Sequence, residues 1–130
     1  EKEQDTPFKA HLLSEGTLRF ICLATVLFQP QSLLPESIHV DEPELGLHPY
    51  AITVLASLIR AATTEKQEII STQSVELLNQ FDANQVIVVD REEGKSSLRR
   101  LQLPDLSQWL EEYSLGELWK KNILGGRPSR

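Results

Sequence analysis

The apolar positions fall into dense blocks separated by polar, turn-rich stretches. From residue 12 to residue 28 the chain is apolar on several faces, with Leu18, Phe20, Ile21, Leu23, Ala24, Leu27 and Phe28, which predicts a buried helix. Ser14 is placed as its N-cap, with Gly16 in the first turn. Residues 29–36, with Pro30 and Pro35, read as a loop. The short run Ile38-His39-Val40-Asp41 predicts a buried strand ending in a carboxylate, followed by a turn over 43–48. Pro49 suits a first helical position. Ile52, Leu55, Ala56 and Ile59 then keep the spacing of an amphipathic helix.

The same alternation continues. A strand is predicted over 68–72, a helix from Ser74 to Asn79, and a buried strand over 85–91 that contains Val86, Ile87, Val88 and Val89. Glu92-Glu93-Gly94-Lys95 predicts a turn into a last strand near 97–103, forming a hairpin. After Pro104-Asp105, Leu106, Trp109, Leu110 and Tyr113 share one helical face, and Ser114-x-x-Glu117 has the form of a capping box. Gly125-Gly126-Arg127-Pro128 ends regular structure. Strands alternating with helices predict an α/β fold: a mainly parallel sheet flanked by helices, with a C-terminal hairpin and short helices.

Composition narrows the classes. Of the 130 residues 40% are apolar, enough for a core, and no apolar run approaches the roughly 20 residues that span a bilayer. Residues 1–5 are charged and lack the apolar segment of a secretory signal. The single cysteine, Cys22, lies among apolar residues, so a buried, inert thiol and a reducing, cytoplasmic setting are expected. The net charge of −6 has the wrong sign for a nucleic-acid surface. Arg99-Arg100, Lys120-Lys121 and the basic residues of 127–130 read as solvated surface or tail. If a longer parent protein touches nucleic acid, these acidic residues are not the part expected to do so.

Two places carry candidate chemistry. Asp41 and Glu42 stand together at the end of a predicted buried strand, where unpaired carboxylates are costly. By itself such a pair is commonly a solvated strand end. A phosphoryl-transfer site also accounts for it, with Asp41 holding Mg²⁺ through its water shell and Glu42 orienting and polarising a water as general base. Ser14 and Gly16 at a helix start are the second place. Backbone N–H groups and the helix dipole there favour an anion, and glycine permits close approach.

These features together resemble the ABC-type ATPases of the SMC, RecF and OLD-like, AAA-family branch. Leu13-Ser14-Glu15-Gly16-Thr17 resembles the LSGGQ signature, with its serine and second glycine kept. Asp41-Glu42 stands at the Walker B position, and Glu44-Leu45-Gly46-Leu47-His48-Pro49 resembles the following D-loop. Ser71-Thr72-Gln73-Ser74 occupies the switch position, where the family usually reads Thr-His-Ser and the histidine contacts the γ-phosphate. Gln73 replaces that histidine and can hydrogen-bond but carries no charge or proton at neutral pH. The stretch from Leu115 to Pro128 resembles the tail of bacterial predicted ATPases.

The resemblance implies ATP and Mg²⁺ as cofactors and two heads that sandwich the nucleotide. Ser14, Gly16 and Thr17 would face the γ-phosphate, Asp41 the metal, and Glu42 and Gln73 the hydrolytic step; Glu44, Gly46 and His48 would form the D-loop. No Gly-x-x-x-x-Gly-Lys-[Ser/Thr] loop occurs in the chain. Gly94-Lys95-Ser96 matches its last three positions, but Val89 stands where the earlier glycine is needed. Residues 1–130 are therefore expected to be a single partial ATPase domain. Its expected partners are an N-terminal lobe that supplies the phosphate loop and a second head, or a second copy. The isolated chain is expected to be inactive. A rival reading is an interaction or regulatory module that docks on a complete ATPase, or on a second copy of itself, without hydrolysing. A metal site at His39, Asp41 and His48 lacks any compact ligand motif. Trp109, Tyr113 and Trp119 read as core or interface residues.

Overall fold

The computed structural model describes residues 13–30, 32–63 and 66–126. Leu12, Gln31, the charged residues 1–5 and the basic residues of 127–130 lie outside the described residues. The chain divides into two compact units, Glu1–Ser71 and Thr72–Arg130. Each holds one two-stranded sheet.

In the first unit, helix α1 (Glu15–Leu27) begins where the sequence predicts, with the Ser14 side chain accepting from the Thr17 N–H. Strand β1 (Ser37–Asp41), helix α2 (Pro49–Ala62) and strand β2 (Gln67–Ser71) come next as a parallel crossover. The register pairs Ile38 with Glu68, Val40 with Ile70 and Asp41 with Ser71. Pro49 opens α2 behind the His48 cap, and Ile52, Leu55, Ala56, Ile59 and Ala62 form its buried stripe. That stripe needs no tertiary information, because i, i+3, i+4 and i+7 positions share one side of a helix.

Three expectations are corrected here. Helix α1 is not enclosed: only Gly16 and Leu27 are buried in it, whereas Ile21 and Val26 are exposed, as is Phe28 just after it. The helix packs on α2, and its apolar character runs around more of its circumference than that contact covers. Cys22 is exposed, not buried, because it lies on the uncovered part of the same helix. Strand β1 is likewise covered on one side alone, with Ile38 buried and His39 exposed.

The second unit contains α3 (Val75–Leu78), a 3₁₀ turn (Ala83–Gln85), β3 (Ile87–Glu92), β4 (Lys95–Arg100), α4 (Leu103–Leu110) and α5 (Leu115–Lys120). Strands β3 and β4 form the predicted hairpin, antiparallel from Ile87↔Arg100 to Glu92↔Lys95. Its two turn residues, Glu93 and Gly94, have φ of 49° and 79°, the left-handed pair that matches the twist of a tight hairpin. Only Val88 of the expected buried run sinks into the core, while Ile87 and Val89 are exposed. An antiparallel ribbon tolerates one open face, and here period two sends its apolar residues to both sides.

Ala83, Val88, Leu101, Leu106, Leu115, Leu118 and Leu124 make the core of this unit, with Tyr113 and Trp119 packed at its margin. Trp109 remains exposed, 6.3 Å from the Tyr113 ring. The predicted capping box forms at α5: Ser114 and Glu117 satisfy each other's backbone N–H groups. The Ser114 N–H and hydroxyl hold the Glu117 carboxyl below its ordinary range. The final turn is fastened to the hairpin from both strands. Asp90 accepts from the Gly126 N–H at 2.5 Å, and Arg99 donates to the Leu124 carbonyl at 2.7 Å. No helix among the described residues is long and apolar enough to cross a membrane.

Leu118 is fully buried and Leu98 is 69% exposed. Leu118→Ala is expected to cost about 2–5 kcal/mol and Leu98→Ala less than about 0.5 kcal/mol. Urea midpoints of the two variants measure this, and equal losses would contradict the assigned core.

Candidate functional site

The β1–β2 ladder determines where the acids stand. Its last rung sets Asp41 beside Ser71, and the Ser71 hydroxyl donates to the Asp41 carboxylate. Asp41 remains exposed. Beyond it the backbone turns sharply: Glu42 adopts φ of 44°, a left-handed conformation uncommon for a residue with a side chain. That conformation costs on the order of 1 kcal/mol or more. The Glu42 N–H donates to the Ser71 carbonyl at 2.9 Å, adding one bond past the ladder.

Two stacked turns carry the chain from Glu42 to α2. Leu45 N–H donates to the Glu42 carbonyl at 3.1 Å, and Leu47 N–H to the Glu44 carbonyl at 3.0 Å. Gly46 lies between them at φ of 77°, where glycine has no steric penalty. Pro43 is buried and Glu44 half-buried. His48 ends the segment, its Nδ1 accepting from the Tyr50 N–H at 3.3 Å.

The helix start that resembles a signature meets this segment. A Cβ built on Gly16 would collide with the carbonyl carbon and oxygen of Gly46. Gly16 is bare because the Gly46 backbone occupies the space a side chain would need, a cause the sequence does not reveal. Ser14 and Thr17 stay exposed, with their hydroxyls 2.7 Å apart and the Thr17 N–H donating to Ser14 Oγ at 3.1 Å. Ser14, Gly16, Thr17, Asp41, Glu42, Glu44, Gly46 and His48 thus all belong to the first unit. Gln73 belongs to the second. It is exposed between Thr72, whose hydroxyl accepts from the Ser74 N–H at 2.9 Å, and Ser74, which caps α3.

One residue of chemical interest escaped the sequence reading. Both carboxylate oxygens of Glu68 are buried without a hydrogen-bond partner, and burial pushes its pKa up to about 7. Its signal is the period-two phase with Ile70, which puts Glu68 on the same sheet face as its register partner, buried Ile38. Ser71 as the partner of Asp41 also comes from register, not from local pattern.

The decoy Gly94-Lys95-Ser96 falls in the hairpin turn and β4, so the chain runs on from it as a strand and not as a helix. His39 shares a hydrogen bond of 2.8 Å with Ser37 and His48 caps α2. Among the described residues no group of three or more His, Cys, Asp or Glu is gathered to hold a metal ion. An exposed aspartate at a strand end beside a second acid fits a metal held through water and shared with phosphates, and a serine-capped helix start with Ser14 and Thr17 exposed fits a phosphate edge. Neither supplies a backbone cradle for a triphosphate.

Comparison with known proteins gives the family and the fold of the chain. The family model described as "AAA domain, putative AbiEii toxin, Type IV TA system" matches residues 1–79, more than half of the chain, and the chain belongs to that family. No curated protein matches the chain. A similar solved chain comes from the structural biochemistry of ATP-driven dimerization and DNA-stimulated activation of SMC ATPases. The likeness has a TM-score of 0.61 at 24% identity over 78% of this chain and 62% of that one. The chain therefore spans less than two thirds of that SMC ATPase chain, and the likeness is one of fold.

The Glu68 carboxyl yields a pH prediction. Its folded pKa of about 7 stands above the ordinary glutamate value of 4.5, so the folded state holds its proton more tightly. Its contribution is fully present below about pH 4.5 and is lost as pH rises toward and past 7. Wild-type stability minus that of Glu68→Gln should fall across this window in urea unfolding. A difference that is flat or rises with pH would contradict the burial of this carboxyl.

Proposed function

We propose, from that family membership, that the chain is the signature- and acid-bearing part of an ATP-hydrolysing head. The observation that carries the reading is the joint position of three elements in one unit: Asp41 and Glu42 at the strand end, the D-loop turns, and the Ser14 helix start packed on them through Gly16. In this reading Glu42 orients the attacking water and takes its proton. Asp41 holds Mg²⁺ through its water shell, and that ion, bound with ATP, supplies charge neutralisation on the phosphates. Ser14, Gly16 and Thr17 face the γ-phosphate of a nucleotide held by another head. Gln73 contributes a neutral hydrogen bond where the family usually has histidine.

The phosphate loop then comes from an N-terminal lobe outside these residues, and two heads, or two copies, close on the nucleotide in the cytoplasm. The name of the similar SMC ATPase, with its ATP-driven dimerization, supports such an assembly. A second reading rests on Gln73 and the lack of a phosphate-loop motif in the sequence: a module that docks on a complete ATPase and regulates it without hydrolysing.

The two separate on one variant. With the chain joined in frame to a phosphate-loop lobe, Glu42→Gln should lower ATP turnover about 10²- to 10⁴-fold while ATP binding persists. Turnover unchanged by the substitution excludes Glu42 as the base, and a joined chain with no turnover at all favours the docking module.

A further inference from the structure

Gly16 occupies the first turn of α1, where alanine would make a better helix. Its place there answers to the Gly46 carbonyl, which fills the position of the missing Cβ. On the other side, the Gly46 peptide belongs to the pair of turns whose first carbonyl is that of Glu42. Glu42 is held in its left-handed conformation, with its N–H on Ser71. The first turn of α1, the Gly46 peptide and Glu42 are therefore linked by backbone contacts and hydrogen bonds with no flexible side chain between them. Close-packed backbone transmits a displacement and does not absorb it.

We infer that Gly46 is a positioning residue through which the first turn of α1 determines the placement of Glu42. A phosphate that engages Ser14 and shifts that turn would press on the Gly46 carbonyl. The two turns would pass the motion to the Glu42 backbone, so that an acid already in a strained conformation is aimed only when the helix start is occupied. The role in turnover rests on the ATPase reading above. The mechanical coupling does not, since it is a property of the first unit alone.

The isolated chain tests the coupling. Native-state hydrogen exchange across a urea series should give the Leu45 and Leu47 amides the same opening isotherm as Thr17 and Leu18 at the start of α1. Gly16→Ala should speed exchange at Leu45 and Leu47 by about tenfold or more, whereas Thr25→Gly, an exposed change farther along the same helix, should leave them alone. Separate isotherms in the wild-type chain, or equal effects of the two variants, overturn the inference, and the wild-type arm decides even where Gly16→Ala does not fold. In the head joined to a phosphate-loop lobe, Gly46→Ala should lower kcat about tenfold and leave KM for ATP within about twofold. An unchanged kcat overturns the inference. A joined wild-type head without turnover counts against the ATPase reading and leaves the coupling measurement standing.

Discussion

Parallel pairing of β1 with β2 is the constraint on which the first unit depends. A parallel pair requires a crossover, and the amphipathic helix α2 supplies it by burying Ile52, Leu55, Ala56 and Ile59. The register then governs the residues just beyond the strand ends. It sets Ser71 against Asp41, gives Glu42 a carbonyl to bond, and starts the two turns that bring Gly46 under Gly16. A shift of one residue would reverse the faces, exposing Ile38 and turning Asp41 away from Ser71. The chemistry-bearing residues are thus placed by backbone pairing first and by side-chain contacts second.

The packing around this ladder is one-sided. Parallel strands ordinarily have both faces covered by helices, yet Ile69 and His39 are exposed on one face of the β1–β2 pair. Helix α1 leaves Ile21, Val26 and the adjoining Phe28 open, and the hairpin of the second unit does the same with Ile87, Val89 and Leu98. Among the described residues nothing covers these surfaces. This pattern fits a fold that is completed by further structure, in keeping with a similar chain of greater length.

Much of this was legible in the amino-acid sequence, for identifiable reasons. Caps and turns are local: Ser14, Pro49, Glu93-Gly94 and the Ser114–Glu117 box each form as their residue types require. The buried stripe of α2 comes from helical spacing alone. Burial of α1, Cys22 and the β3 run did not, because an apolar residue is buried only where another element reaches it. The bareness of Gly16 was visible, but its cause was not, since Gly46 is thirty positions away. The pairing of Asp41 with Ser71 and the isolation of the Glu68 carboxyl both depend on strand register, which no local pattern specifies here. Residue types that could carry chemistry stand in short motifs, while their structural support is written in long-range contacts.

In the proposed reading these residues supply the acids and the signature of an ATPase head, and the nucleotide is held by a lobe outside them. Equilibrium dialysis of the isolated chain against ATP and Mg²⁺ tests it most directly. The account predicts no saturable binding in the micromolar range, with binding recovered when a phosphate-loop lobe is joined to the chain. Saturable micromolar binding of one ATP per isolated chain would contradict it.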